Sequence, residues 1–371
     1  MRVAFHVDQL WFEAPGGIGT YVEALFWELP RQGVDLVTFS SRWRRRTPMF
    51  APLTTDGRFP AVELPVSIRL LYPAWDYLRR PSLPGELAQA DIVHATNHAA
   101  IPPVRTHQRL VVTVHDLTFE RFPELYPKRW LALYRKGLEV AAAEAAAILV
   151  PSEHVRDEVV AKGVEQDRLH VTPLASGMTE PDAATRLDRD DYGITPPYVL
   201  TVGTVEPRKN LPRLVRAYRR LAEEGFPHAL VILGPEGWGS SGLRREIDRG
   251  GPGRIIRSEL SYAELAAAYA DADAVAYVSL YEGFGLPVLE AMSMGTAVVA
   301  SNISAIPEVA GDAALLVDPT DEDAIAEGLR RVLEEPNLRE DLSRRGRERA
   351  AAFSWEATAR ATLAVYREVL R

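Results

Sequence analysis

The run Tyr281-Glu282-Gly283-Phe284-Gly285-Leu286-Pro287-Val288-Leu289-Glu290 decides how this chain folds. An apolar stretch, 274–280, ends just before the first glutamate and has the length of one buried strand. Pro287 suits the first turn of a helix, because its φ is already helical and its missing N–H has no partner to lose there. Ala291-Met292-Ser293-Met294-Gly295 then closes that helix on a glycine. The run therefore predicts a strand, a glycine loop and a helix start. One carboxylate lies in the loop and one in the first turn. Free amides and the positive end of the helix dipole would share a small volume with both carboxylates, which suits a ligand that is anionic and rich in hydroxyls.

The same alternation runs outward in both directions. In the first half, strands are predicted at 2–7, 35–39, 91–94, 109–114 and 147–150, with helices at 18–31, 128–145 and 152–162. A polar, proline-bearing stretch at 175–197 reads as a linker. Beyond it, strands at 198–202, 229–233, 254–257, 274–278 and 297–300 alternate with helices at 211–224, 241–249, 261–270 and 287–294. Two helices end the chain, 321–334 and 338–371, the second broken near Phe353-Ser354. Strand–helix alternation implies parallel sheets covered by helices. The fold class is α/β, with two doubly wound, Rossmann-like domains facing across a cleft. The expected domains are 1–185, joined by a final helix 354–371 that crosses back, and 190–353. A chain of 371 residues exceeds what one core usually serves.

Bulk properties exclude several classes. The net charge of −8 argues against a general polyanion binder. No apolar run is long enough to cross a bilayer. There is no cysteine, so disulfides and thiolate metal sites are out, which fits a cytoplasmic protein. The chain has only four lysines, Lys128, Lys136, Lys162 and Lys209, and uses arginine elsewhere.

Lys209 stands in Val202-Gly203-Thr204-Val205-Glu206-Pro207-Arg208-Lys209-Asn210, directly after a predicted strand. Adjacent cations at a helix start oppose the dipole unless an anion sits there. A forked Arg208 and a point-charge Lys209 together suit a diphosphate. Gly203 allows close backbone approach. Gly16 and Gly17, in Ala14-Pro15-Gly16-Gly17-Ile18-Gly19, form a second glycine loop after the first strand. It reads equally well as a plain turn, and its glycines depart from the dinucleotide fingerprint. Two strands end in histidine, giving His115 in Val112-Thr113-Val114-His115-Asp116 and His94 in Val93-His94-Ala95-Thr96-Asn97.

Taken together these motifs resemble the family 4 retaining glycosyltransferases of GT-B fold, over essentially the whole length. The segments 200–210 and 115–126 are similar to bacterial mannosyltransferases that build O-antigen and related polysaccharides. The resemblance implies transfer of a hexose, mannose favoured, from a nucleoside-diphosphate sugar to a glycan or lipid-linked saccharide, without metal or cofactor. GDP-mannose is the favoured donor. It implies that Arg208 and Lys209 hold the donor pyrophosphate and that Glu290 accepts from the ribose hydroxyls. Glu282, with the amides of Gly283, Phe284, Gly285 and Leu286, would hold the transferred sugar. Gly16, Gly17, Gly203 and Thr204 would line the donor, and His115 would contact the sugar. The base would lie near 256–258. Glu282, His115, Lys209 and Arg208 are thus the expected catalytic set.

Residues 40–80 hold eight arginines against three acids, mixed with aromatics. They predict an acceptor wall or a peripheral contact with anionic lipid on the inner face of a membrane, or equally a solvated basic face over ordinary core aromatics. Arg44, Trp75, His94 and Asn97 are the acceptor-side candidates. Nucleic acid is not an expected partner. A nucleotide-sugar epimerase of the same architecture and a non-catalytic sugar-nucleotide binder are the competing readings.

Overall fold

The computed structural model describes residues 1–12, 15–42, 61–181, 192–237 and 239–371. The chain divides into two compact units, one formed by Met1–Leu174 with Trp355–Arg371 and the other by Ala175–Ser354.

The first unit carries β1 (Arg2–His6), β2 (Asp35–Arg42), β3 (Ala61–Ser67), β4 (Ile92–Ala95), β5 (Arg109–Thr113), β6 (Ala147–Val150) and β7 (Leu169–Val171). Their order is β3-β2-β1-β4-β5-β6-β7, and every pairing is parallel. β1 and β4 are neighbours, so the strand order reverses between them. β4 and β6 are buried along their whole length, as a sheet covered on both faces requires. The covering helices are α1 (Gly16–Arg31), α2 (Ile68–Pro73), α3 (Thr118–Arg121), α4 (Lys128–Glu144) and α5 (Glu153–Val160). Ser152 caps α5, its Oγ accepting from the Val155 amide at 3.2 Å.

The second unit repeats the plan with β8 (Tyr198–Val202), β9 (Ala229–Leu233), β10 (Ile255–Ser258), β11 (Ala274–Tyr277), β12 (Val298–Ser301) and β13 (Leu315–Val317). The order is β10-β9-β8-β11-β12-β13, again all parallel. Its helices are α6 (Leu211–Glu223), α7 (Ser241–Asp248), α8 (Tyr262–Asp271), α9 (Leu286–Ser293), α10 (Ile306–Ala310), α11 (Glu322–Glu334) and α12 (Pro336–Ala350). α6 buries Leu211, Leu214, Val215, Tyr218 and Leu221 against this sheet. α8 starts with a reciprocal capping box between Ser261 and Glu264. Asp321 caps α11 by accepting from the Asp323 and Ala324 amides.

The last helix, α13 (Trp355–Val369), packs back on the first unit. Tyr366 Oη lies 2.6 Å from His94 Nδ1, and Thr358 donates to the Pro173 carbonyl at 2.6 Å. Three strands escaped sequence reading. β7 and β13 are three residues each, and β3 is a half-exposed edge strand interrupted by Pro65. No helix among the described residues is long and apolar enough to cross a membrane.

Candidate active site

The carboxyl ends of β8 and β11 bring together the residues that the two sequence motifs singled out. β8 ends at Val202, and a short turn Pro207–Lys209 leads into α6. Asn210 joins the two in left-handed conformation, φ 60°. Its side-chain amide donates to the carbonyls of Val278 and Pro319, at 3.0 and 2.7 Å. The Leu280 amide donates to the Arg208 carbonyl at 2.7 Å. The two motifs are therefore stitched to each other by backbone before any side chain meets.

Glu282 closes on both cations. Its Oε1 accepts from Lys209 Nζ at 2.7 Å, and its Oε2 lies 2.6 Å from the Arg208 guanidinium. Arg208 also pairs with Glu206 at 2.5 Å and donates to the Tyr281 carbonyl at 3.0 Å. Lys209 Nζ donates to Tyr277 Oη at 2.6 Å. Burial alone would push the Glu282 carboxyl up, but the charges and hydrogen bonds of Arg208 and Lys209 overcome it and hold it at about 2. Burial and the Arg208 charge lower Lys209, opposed by Glu282 and Glu206. The result is a charge-balanced network of two cations and two carboxylates, buried at Lys209 and Glu282 and half-buried at Arg208 and Glu206.

Glu290 has a different environment. It lies on α9, and among the described residues its side chain accepts from Tyr269 alone, at 2.9 Å. Burial pushes its carboxyl up to about 7, which the Tyr269 hydroxyl and the Lys209 charge only partly offset. Glycine is required between the two glutamates. Gly285 has φ 111° and caps α9, and a Cβ there would come within 2.6 Å of Ile306 Cδ1. Gly283, Phe284 and Leu286 are buried beside it, with the Phe284 ring against Phe353. Pro287 is in the first turn, as predicted.

Gly203 has φ 140° and packs on the Lys209 side chain, with half-buried Thr204 next to it. The turn after β9 was missed. Val202 pairs with Leu233, so Gly203 and Gly234 occupy equivalent places after adjacent strands. A Cβ on Gly234 would lie 2.4 Å from the Gly203 carbonyl oxygen. The repeated strand-end glycine was the available signal. Tyr277, Glu206 and Tyr269 were missed too. Only their contacts reveal them, since a tyrosine at the end of β11 or on a buried helix face reads as core. The edge strand β10 carries 256–258, where the base was expected.

In the first unit the expected site residues have other settings. Gly16 and Gly17 lie in the first turn of α1, not in a loop ahead of it, and Pro15 precedes them. His115 is 9% exposed, and its Nε2 donates to the Thr96 carbonyl at 2.8 Å. Burial is the main cause of its lowered pKa. Asn97 is half-buried and accepts from the Ala99 amide. Two acceptor-side candidates need correction. His94 is fully buried between Tyr366 and Thr113, and burial holds its imidazole down at about 3. Trp75 is also fully buried, its indole donating to the Pro81 carbonyl at 3.0 Å. Each had to find a hydrogen-bond partner inside the core, and neither has surface left for a ligand. Arg44 lies outside the described residues.

The sequence matches two family models, "Glycosyltransferase Family 4" over residues 15–175 and "Glycosyl transferases group 1" over residues 185–349. O-antigen chain mannosyltransferase B of Escherichia coli is 36% identical over 272 residues, 70% of this chain and 70% of that protein. The MMP alpha-(1->4)-mannosyltransferase of Mycolicibacterium hassiacum is 28% identical over 96% of this chain and 95% of its own length. Among solved structures, sucrose-phosphate synthase from Thermosynechococcus elongatus superposes with a TM-score of 0.74 at 21% identity, covering 99% and 98% of the two chains. Anabaena HepE, solved with UDP-glucose, gives 0.75 at 16% identity over 99% of each. At such identities these structures speak for the fold alone. The motifs, the two parallel-sheet units and the sequence relatives agree, and the chain belongs to the family 4 glycosyltransferases of GT-B fold.

Proposed function

We propose that the chain moves a hexose, mannose favoured, from a nucleoside-diphosphate sugar, GDP-mannose favoured, to a glycan or lipid-linked saccharide with retention of anomeric configuration. The observation that carries this reading is the pairing of Glu282 with both Lys209 and Arg208 at 2.6–2.7 Å beside the start of α9. The activities named for the mannosyltransferase relatives support the choice of sugar.

In this reading the donor pyrophosphate exchanges with Glu282 for the two cations. Arg208 and Lys209 then neutralise the departing diphosphate, and preorganised charge of this kind is the largest usual source of rate enhancement. The freed Glu282 takes hydroxyls of the transferred sugar, and Glu290 takes the ribose. An acceptor hydroxyl forms the new bond at the anomeric carbon, the bond from that carbon to the phosphate oxygen breaks, and a diphosphate oxygen receives the hydroxyl proton. His115 contacts the sugar. The chemistry calls for no metal, because the two cations supply the charge.

Cytoplasmic residence with peripheral contact to anionic lipid belongs to the same proposal. The exposed Leu70, Tyr77 and Leu78 beside exposed Arg69 and Arg80 support it.

The test is a donor screen with α-mannoside acceptors, run with and without a chelator. GDP-mannose should be consumed fastest, with product of retained configuration and unchanged rate in chelator. Donor conversion without acceptor, or no turnover of any nucleotide sugar, would sink the reading.

A further inference from the structure

In the first unit a row of aromatic rings lies over the carboxyl edge of the sheet, at the point where the strand order reverses. Phe12 follows β1. Asn97 and His98 follow β4, which is next to β1 in the sheet. Phe119 follows β5, and Tyr126, Trp130 and Tyr134 come from the segment that opens α4. In open parallel sheets this reversal is where ligands bind.

The ring contacts are continuous. Phe12 and Trp130 have centroids 6.5 Å apart, and Trp130 and Tyr134 are 6.3 Å apart. Tyr134 meets Tyr126 at 5.6 Å and stacks on Phe119 at 5.5 Å. His98 lies 5.2 Å from both Phe119 and Tyr134. The row is graded in depth. His98 and Phe119 are buried, whereas Phe12, Tyr126, Trp130 and Tyr134 keep part of their surface in solvent. Half-buried Asn97 and Asp116 stand beside it, and Asn97 hydrogen-bonds the Tyr134 hydroxyl. Rings that hold one another yet stay partly open to solvent, with an amide and a carboxylate alongside and the Arg129 guanidinium over Trp130 at 5.9 Å, match a pyranose. Its C–H face stacks on the rings while its hydroxyls reach the polar groups.

We propose that Phe12, Tyr126 and Trp130 form the platform on which the acceptor saccharide stacks, Trp130 linking Phe12 to the Tyr134 ring and Asn97 and Asp116 forming the polar edge. This rests on the glycosyltransferase reading and specifies the acceptor as a saccharide held by ring stacking. It also moves the acceptor tryptophan from Trp75 to Trp130. Trp75 has no accessible surface, whereas Trp130 is fixed by Tyr72 at 6.2 Å and stays partly open.

Methyl α-D-mannopyranoside and α-mannobiose are the probes, titrated into the full chain with saturation-transfer difference NMR as readout. Saturating the aromatic protons should transfer to the sugar ring protons of both. Trp130→Ala should weaken mannobiose binding roughly tenfold or more, as loss of a central aromatic anchor does. Trp130→Phe should keep most of it, which separates stacking from simple filling of space. Phe12→Ala provides a second variant if Trp130→Ala does not fold. Nucleoside diphosphate binding, measured in parallel, should be the same in all of them. Absence of transfer in the unsubstituted chain, or equal mannobiose affinity in Trp130→Ala or Phe12→Ala, overturns the platform. Loss of nucleoside diphosphate binding in the unsubstituted chain strikes instead at the reading beneath it.

Discussion

The two units place opposite chemistry on the same architectural edge. In the second unit the carboxyl ends of β8 and β11 carry interlocked charges, with Glu282 closed on Arg208 and Lys209. In the first unit the ends of β4 and β5 carry neutral imidazoles and aromatic rings. Burial holds His94 at about 3 and His98 at about 4, so both are uncharged at neutral pH. One plan of parallel strands thus provides either an edge of interlocked ion pairs or one of imidazoles and rings beside the single carboxylate of Asp116, depending on the few residues after each strand. The fold alone does not say which, so function has to be read from the sites.

The sharpest way to break this contrast is to remove a charge from the second unit. Lys209→Ala leaves Glu282 buried with one cation fewer. Transfer should fall roughly 100-fold, since a charge-assisted contact is worth about 1.5–3 kcal/mol and about 1.4 kcal/mol is tenfold in rate. Steady-state kinetics with donor and acceptor varied separately measures it, and unchanged kcat/KM would remove the clamp. Glu282→Gln should fall in the same range while keeping side-chain shape. Next is the backbone that supports the charged edge. Gly234→Ala forces a methyl onto the Gly203 carbonyl at a φ of 136°, and about 1–3 kcal/mol of stability should be lost in urea unfolding. In the first unit, Tyr366→Phe removes one buried partner of His94 and should cost about 1 kcal/mol, with donor binding unchanged.

The smallest net effect is on pH, because the two edges oppose each other. Glu290 has a raised pKa, so its contribution is fully present below the ordinary carboxylate value and is lost as pH rises to about 7. His94 and His98 have lowered pKa values, so their contribution is present above the ordinary imidazole value and is lost as pH falls towards 4 and 3. Between pH 7.5 and 5.5 Glu290 should therefore add protection to the second unit, whereas in the first the loss at His94 and His98 is opposed by buried Asp76, whose carboxyl burial raises to about 8. Amide exchange of the second unit, compared with Glu290→Gln, reads the Glu290 part, and an identical pH trend in the two proteins would refute the assignment. Glu290→Gln should abolish the gain.

Much of the plan was legible because the signals were local. Strands of the second unit stood out as uninterrupted apolar runs, and Pro287 and Gly295 bounded α9 from sequence alone. The motifs holding Arg208, Lys209, Glu282 and Glu290 were legible for the same reason, as special residues just after a strand. What could not be read was which side chains meet. Nothing in the spacing says that Glu282 bonds both cations while Glu290, eight residues on, accepts from Tyr269. Trp75 and Trp130 look alike as letters beside arginines, and only three-dimensional packing separates a core indole from a half-open one. Exposure is set by long-range neighbours, and these have no local code.

The return of α13 to the first unit also sets an order of events during synthesis. Residues 175–354, a complete unit, leave the ribosome before the helix that completes residues 1–174. The first unit therefore cannot complete its fold until α13 has been made, whereas domains made in simple succession mature from the N-terminus. Until Tyr366 emerges, the buried nitrogen of His94 that it will cover has no such partner. The earlier unit must wait incomplete through the making of the later one.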